Sequence, residues 1–504
     1  MQYKAKRLKI KGVYKMKLFK SAFSLLLLAG CVQNLPSIGP DYKEEELIIP
    51  DSILPDAGLP TTNLTATFEY KSAVSNSDDR IIISNNSLAK WWTRFDDPIL
   101  QTLVEGSVTN NLNFLSAQRR LERAYWELVG TYSAFLPGVY INGDAVKNIT
   151  RKNNKYLRTD NFNLGINSTW EIDIFGGSRR ATESALATAE AEGWTVADAW
   201  IALTTSIGRE YINLRTIQSR IAVARTNLVL QSETYDILKS RLDSGIGDEL
   251  AVNQCAYIVE QTRARIPDLL TAEESLKNSL AILAGQFPGS LHDALSPLAD
   301  DRDWLLCPQK VSQLPLDMIR ARPDVKAQER KLAAQVAAVG VAKSLWFPKF
   351  YINGGVGMES SKFSKIFSKD SFYASIGPSV SWPLFQGGNI YASVKKAEAL
   401  VEEARLNYEH SVHNAYGEVR NAYSAYTQEY HRYQALKSAV KAASDAVTIS
   451  NDLYKNGLKD FNNVLDAQRS RLQLEEELVI SRGQITLNLI ELYKSLGGGL
   501  SAEQ

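Results

Sequence analysis

Cys31 is the residue whose surroundings specify a covalent reaction. It closes the run Leu25-Leu26-Leu27-Leu28-Ala29-Gly30-Cys31, and Lys17 and Lys20 lie just upstream. A charged segment, a short apolar segment and small residues before a cysteine make an export signal whose cysteine thiol receives lipid and becomes the mature N-terminus. The apolar stretch is too short to span a bilayer as a helix. Residues 1–30 are read as the signal, with Met16 as the start, and the rest as living outside the cytoplasm. Asp466 is the second candidate: it falls on the first turns of a returning helix, beside Lys459, Asn463 and Tyr454. No enzyme constellation is found. His292, His410, His413 and His431 lack Cys or carboxylate partners at ligand spacing, so no metal, cofactor or catalytic role is expected. Gly497-Gly498-Gly499 is no phosphate loop, because no Lys-Ser/Thr follows.

Composition narrows the classes further. The net charge of +1 gives no electrostatic case for nucleic acid. After Cys31 only Cys255 and Cys307 remain, and their spacing neither demands nor forbids pairing. Nothing after the signal is apolar for long enough to be a transmembrane helix. A membrane-anchored chain of this kind either lies on the surface or crosses as β-strands.

The elements that must carry these residues occur twice. Phe135-Leu136-Pro137-Gly138-Val139-Tyr140-Ile141-Asn142-Gly143 recurs as Trp346-Phe347-Pro348-Lys349-Phe350-Tyr351-Ile352-Asn353-Gly354, about 211 residues on. Trp170-Glu171-Ile172-Asp173-Ile174-Phe175-Gly176-Gly177 recurs as Ser381-Trp382-Pro383-Leu384-Phe385-Gln386-Gly387-Gly388. Each half reads as a helix ending at proline, two strands, Gly-Gly, a very long helix, a glycine turn and a helix running back. In the strands one parity is apolar (Phe162, Leu164, Ile166, Trp170, Ile172; Phe372, Ala374, Ile376, Val380) and the other is mainly Asn, Ser, Thr, Gly and Tyr. One face could meet lipid while the other meets water, as in a transmembrane β-barrel wall. Four strands cannot close a barrel, so several chains must contribute. Three copies would give twelve strands. The long helices run roughly 65 residues, or about 100 Å. Along the second, the apolar stripe from Ile390 to Tyr430 keeps a spacing of about 3.6 and should stay straight, unlike a coiled coil. Gly245 and Gly457 suit helix C-caps at the hairpin tips, and Asp248 and Asp460 suit the following N-caps.

Further stretches carry a resemblance: Ile38-Gly39-Pro40-Asp41-Tyr42, Trp91-Trp92-Thr93-Arg94-Phe95-Asp96-Asp97-Pro98, Arg322-Pro323-Asp324-Val325, and Val464-Leu465-Asp466-Ala467-Gln468-Arg469. In this order they resemble the TolC-like outer membrane factors, specifically the lipoprotein (NodT-type) branch of tripartite efflux systems, over residues 31–496. The resemblance implies an α+β fold: a homotrimer with a twelve-stranded outer-membrane barrel continued by a twelve-helix periplasmic barrel. It implies a passive exit duct, lipid-anchored in the outer membrane, that meets a periplasmic adaptor protein and an inner-membrane transporter. The alternatives are the exit duct of type I protein secretion and a non-conducting, lipid-anchored envelope scaffold. The implied layout is a lipidated extension at 31–97 and a first repeat at 98–286, with strands near 137–147 and 160–175 and a hairpin over 178–286. A connector at 287–314 follows. The second repeat covers 315–496, with strands near 348–359 and 371–385 and a hairpin over 389–496, then a flexible tail at 497–504. Asp466 matches the aspartate of the family's constricting ring, where three like charges would raise one another's pKa and attract cations. Asn463 stands where a second ring aspartate is usual. Tyr454 and Lys459 match latch positions whose usual polar partners are Leu250 and Ala251 here. Gly245, Asp248, Gly457, Leu458 and Asp460 would form the adaptor-facing tips.

Cys31→Ser should abolish metabolic labelling with fatty acid. Supplied with another signal peptide, the variant should still fractionate with membranes, because twelve strands bury far more apolar surface than acyl chains do.

Overall fold

Proline and capping side chains mark where each helix begins. Asp97 caps α1 (Pro98–Asn110), its Oδ1 accepting from the Ile99 and Leu100 amides at 2.9 and 3.3 Å, with Pro98 at the first helical position. Asn111 starts α2 (Leu112–Thr131): its side-chain oxygen accepts from Phe114 N at 2.9 Å, and its amide donates to Leu283 O at 3.0 Å. The computed structural model describes residues 37–43, 90–152, 154–297, 317–456 and 458–498. After α2 and a 3-10 turn at Tyr132–Phe135 come β1 (Gly138–Lys152), β2 (Lys155–Ile172), α3 (Gly177–Asp243) and α4 (Glu249–Leu283). A single helical turn at Asp317–Arg320 leads to α5 (Pro323–Ser344), β3 (Lys349–Ser360), β4 (Phe372–Ser381), α6 (Asn389–Lys455) and α7 (Phe461–Ser495). The order helix, strand, strand, 67-residue helix, 35-residue helix thus occurs in both halves.

The chain divides into two compact units. The first comprises 119–194 and 326–411 with the described segment 37–43. It holds one antiparallel sheet in the order β1-β2-β3-β4. Arg180, near the start of α3, is almost fully buried. It donates to Ile38 O and Gly39 O at 3.3 Å each, to Asp41 at 2.6 Å and to Glu183 at 2.8 Å, which fixes 37–43 against the helix. Arg330 lies over the Tyr42 ring at 5.4 Å and is paired with Glu329 at 2.6 Å. Below the strands, Phe175 stacks on Phe347 at 4.7 Å, and Trp382 Nε1 donates to Trp346 O at 3.1 Å.

The second unit comprises 90–118, 195–297, 317–325 and 412–498 of the described residues. Its centre is an aromatic and ionic knot on α3. Trp91 meets Trp92 edge-on at 5.9 Å, Trp92 meets Trp200 at 6.0 Å, and Arg94 donates to Tyr493 Oη at 2.9 Å. Tyr211 Oη donates to Asp97 and accepts from Arg215 at 2.8 Å, while burial pushes the Tyr211 hydroxyl pKa upward. Arg215 and Gln218 also hold the irregular stretch after α4, through Ser296 O at 2.9 Å and Leu295 O at 2.8 Å. Arg322 is buried and donates to Ser495 O, Asp324 and Glu418, each at 2.7 Å.

Three expectations differ from what is found. The first hairpin continues to Lys152 and Lys155 instead of stopping near 147 and restarting near 160, and Asn154 just before β2 takes the left-handed φ of 61° that asparagine tolerates in a tight turn. The last strand ends at Ser381, short of 385. Gly497 and Gly498 are not the start of a tail. They close α7, with Gly497 N bonded to Lys494 O and Gly498 N to Tyr493 O, and Gly497 is buried against Arg322.

Gly208 sits on α3 where the Trp91 ring crosses it, and a methyl group there would overlap the indole. Gly208→Ala should therefore cost about 1–3 kcal/mol by overpacking, despite the better helix propensity of alanine. It should be read as an earlier thermal melt by circular dichroism.

Candidate functional site

Register decides which side chains share a face of the sheet. Ile141 pairs with Ile166, Ile166 with Val356, and Val356 with Ala374. One face therefore carries Val139, Ile141 and Ala145 of β1, then Phe162, Leu164, Ile166, Trp170 and Ile172 of β2. It continues through Phe350, Ile352, Val356 and Met358 of β3 to Phe372, Ala374, Ile376, Pro378 and Val380 of β4. Ile141 at 73 % and Ile376 at 84 % exposure are bare in the single chain, as are Val139, Phe372 and Val380. A contiguous apolar patch of this extent marks a surface made to be covered. The opposite face carries Asn142, Asp144, Asn163, Asn167, Asn353, Tyr373 and Ser375, with Val146 and Leu157 as its apolar exceptions. The cross-strand polar pairs lie there: Tyr140 with Thr169 at 2.9 Å, Asn161 to Glu359 at 2.9 Å, Asn353 to Ser379 at 2.7 Å and Lys349 with Glu171 at 3.0 Å. β1 and β4 are both edges.

The helix hairpins end in two tips that share one core. At the first, α3 closes on Gly245 at φ +75°, with Gly245 N bonded to Leu242 O and Ile246 N to Arg241 O. This is the left-handed cap that glycine adopts without a steric cost. Asp248 then caps α4 by accepting from Leu250 N at 2.9 Å. At the second, Leu458 N bonds to Leu453 O at 2.9 Å. Asp460 occupies the cap position of α7, but its side chain makes no cap bond. Its carbonyl accepts from Asn463 N and Nδ2, each at 3.2 Å. Leu238, Ala251, Val252, Cys255 and Ile258 pack with Phe461, Val464 and Leu465 into a single cluster, with Tyr235, Leu242 and Tyr454 at its margin. Tyr454 meets Phe461 edge-on at 5.2 Å, and the Arg241 guanidinium lies over the Tyr454 ring at 5.4 Å. Burial pushes the Cys255 thiol up to about 11, and its sulfur is 3.7 Å from Gln231 O. It is a free, unreactive packing thiol.

Of the residues singled out from sequence, Asp466 is exposed, its side chain at 77 %, and pairs with Arg469 at 3.6 Å. Lys459, Asn463, Leu458 and Asp460 are exposed on the same tip. Tyr454 is half-buried in the tip core, so its ring serves packing first. Gly245 and Asp248 cap the neighbouring tip. Cys31, Gly457 and Cys307 lie outside the described residues. Sequence reasoning quoted Val464 and Leu465 only within a motif and missed that they pack with Phe461 into the tip core, although their i, i+3, i+4 spacing is an apolar helix face. It also missed Arg241, whose role depends on a partner more than 200 positions away. Among the described residues no group of three or more His, Cys, Asp or Glu side chains could hold a metal, and no helix is long and apolar enough to cross a membrane.

The sequence profile of the outer membrane efflux protein family matches residues 103–286 and 314–498, and the chain belongs to that family. It is the family that the motifs at Trp91, Arg322 and Val464 resemble. Nodulation protein T of Rhizobium leguminosarum bv. trifolii is 29 % identical over 454 residues, covering 90 % of this chain and 91 % of that protein. The cation efflux system protein CusC of Escherichia coli strain K12 is 25 % identical over 478 residues, covering 94 % and 97 %. Among solved structures, the outer-membrane channel OprN matches with a TM-score of 0.79 at 30 % identity, covering 92 % of this chain and 99 % of that one. A structure of CusC shares the fold, with a TM-score of 0.79 over 92 % of this chain and 100 % of that one at 23 % identity.

Ile166 and Asn167 are adjacent and point to opposite faces. Ile166→Arg should lower membrane-inserted protein sharply, by roughly 2–4 kcal/mol per chain at mid-depth. Asn167→Arg should be tolerated. Heat-modifiable mobility on gels of outer-membrane fractions reads both, and equal damage from the two would remove the two-faced sheet as an explanation.

Proposed function

We propose that three copies of this chain form the outer-membrane exit duct of a tripartite efflux pump, a passive channel for small molecules delivered by an inner-membrane transporter through a periplasmic adaptor. The observation that carries this reading is the four-stranded sheet with one apolar face, one polar face and two open edges. In hydrocarbon an open edge leaves backbone groups unpaired, so β1 of one copy must pair with β4 of the next. Four strands fall short of the roughly eight needed for closure, and three copies supply twelve. The apolar face then meets lipid and the Asn-rich face lines water.

The two halves are tandem repeats. In each, the 67-residue and 35-residue helices form the periplasmic wall, and the segments 31–97 and 287–314 gird it. Lipid on Cys31 anchors the N-terminus. No step of the transport is catalysed by this chain; the transporter supplies energy and selects the cargo. The tips around Gly245, Asp248, Gly457, Leu458 and Asp460 face the adaptor. Asp466, Asn463, Lys459 and Tyr454 lie toward the aperture, where one Asp466 per copy makes a ring of three carboxylates.

Planar-bilayer recording tests the reading. The purified oligomer should give discrete, cation-preferring channels, and complete absence of conductance would make it a scaffold. Asp466→Ala removes three negative charges from the axis. Cation preference should fall, and the half-blocking concentration of a trivalent hexammine cation should rise roughly tenfold. Unchanged selectivity and block in conducting channels would leave Asp466 as a solvated helix residue.

A further inference from the structure

We propose that the part of the β1–β2 hairpin extending past β3 binds the phosphorylated headgroup of an outer-leaflet lipid through Lys147, Arg151 and Arg158. The inference rests on the barrel reading above. β3 ends with Ser360 opposite Phe162, so β2 from Lys155 to Asn161 pairs with β1 alone. The helices begin at the other end of the strands, so this extension is on the side away from the periplasm. From Trp170 to Phe162 is eight residues, about 27 Å along the strand, comparable to the ~25 Å apolar band of outer-membrane barrels.

Beyond Phe162 the same face changes character at once. Its next pairs are Asp160 with Lys147, Arg158 with Ile149, and Tyr156 with Arg151. Ile149 is flanked on its own strand by Lys147 and Arg151, so the three cations are diagonal neighbours within reach of one ligand. Asp160 is the one acid on this patch, leaving two positive charges in excess. Arg151 bonds Asn154 and lies over the Tyr156 ring at 5.7 Å, a rigid placement that leaves guanidinium donors free. Among the described residues none of the three cations is in an ion pair. Phe162 meets Phe363 edge-on at 5.5 Å, forming an aromatic boundary directly beneath them.

A cationic cluster continuous with a lipid-facing apolar face fits a ligand that is anionic at the head and acylated below. Phosphate monoesters suit it because arginine forks pair with phosphate oxygens through two parallel bonds. A soluble anion would meet the cations alone and gain nothing from Ile141, Leu164 and Ile166.

The test uses the full-length oligomer in nanodiscs of neutral phospholipid, titrated with diphosphorylated lipid A as the probe. The triple variant Lys147→Gln, Arg151→Gln, Arg158→Gln should bind lipid A about tenfold more weakly or worse. Lys155→Gln, on the opposite face, should bind like wild type. Inorganic phosphate at high excess should not displace the lipid, and dephosphorylated lipid A should bind no better to wild type than to the triple variant. Equal affinity of the triple variant and wild type, or an equal loss in Lys155→Gln, would overturn the site. Displacement by inorganic phosphate would make it a free-anion site and overturn the lipid assignment. Bilayer conductance is recorded for the same samples: a wild type that does not conduct overturns the barrel reading instead. If the triple variant does not assemble, Arg158→Gln alone should show a several-fold loss, and no loss would overturn the site.

Discussion

The constraint on which the rest depends is that a backbone N–H or C=O in hydrocarbon must have a partner. Each unpaired group costs several kcal/mol there. Helices meet the requirement internally, but a strand meets it only through its neighbours. This chain brings four strands in one sheet and leaves β1 and β4 as edges. With an apolar face such as Ile141–Ile166–Val356–Ala374, the sheet gains by leaving water yet cannot do so alone. This arithmetic supports the proposed pairing of β1 of one copy with β4 of the next before any helix is considered. It also explains why the polar pairs collect on the other face, where water can satisfy whatever Asn142, Asn163 and Ser375 leave unbonded.

The helical hairpins solve a different problem. In water a long helix needs its partners mainly for its apolar stripe, and the ends are where helices fray. Here both tips are fastened by burial. Phe461, Val464 and Leu465 enter the core formed by Leu238, Val252, Cys255 and Ile258, so each hairpin end stabilises the other. The knot of Trp91, Trp92 and Trp200 with Tyr211, Asp97 and Arg215 does the same at mid-helix. Its buried Arg215 is held through both terminal nitrogens, by Tyr211, Gln218 and Ser296 O, and Asp97 accepts from Tyr211, so neither charge stands without hydrogen bonds.

Legibility in the sequence follows the range of the interaction that fixes each feature. The faces of β2 and β4 could be read because alternation at every second residue is local: Phe162, Leu164 and Ile166 announce one side without knowledge of a partner. The extension of β1 and β2 could not, because beyond the apolar band both parities become polar and the period-2 signal vanishes while pairing continues. The long helices and their Gly245 turn were legible from spacing and from a residue able to adopt positive φ. Gly497 was misread because Gly-Gly-Gly looks the same whether it frays or caps, and only the distant Arg322 packed on it decides. The Trp91–Gly208 contact and the shared tip core link positions far apart in the chain, and no pattern within a helix encodes them. The candidate gate was reached through motif resemblance; the fold adds that Tyr454 is committed to packing while Asp466 is not.

That last distinction separates the two tips. The first is closed by local bonds at every step: Gly245 caps α3, and the Asp248 carboxylate caps α4. The second keeps α7 in place through apolar contacts, and the Asp460 carboxylate makes no cap bond. Lys459, Asp460, Asn463 and Asp466 therefore stand exposed around a helix start held from beneath by Phe461, Val464 and Leu465. A carboxylate already engaged in capping must break a bond before it can meet another chain or an ion. Asp460 has no cap bond to give up, and Asp466 has only an exposed pairing with Arg469, of a kind worth a fraction of a kcal/mol to about 1 kcal/mol. The second tip thus combines a helix start held by apolar packing with exposed polar side chains available for new partners, and this asymmetry supports the proposed aperture in the second hairpin.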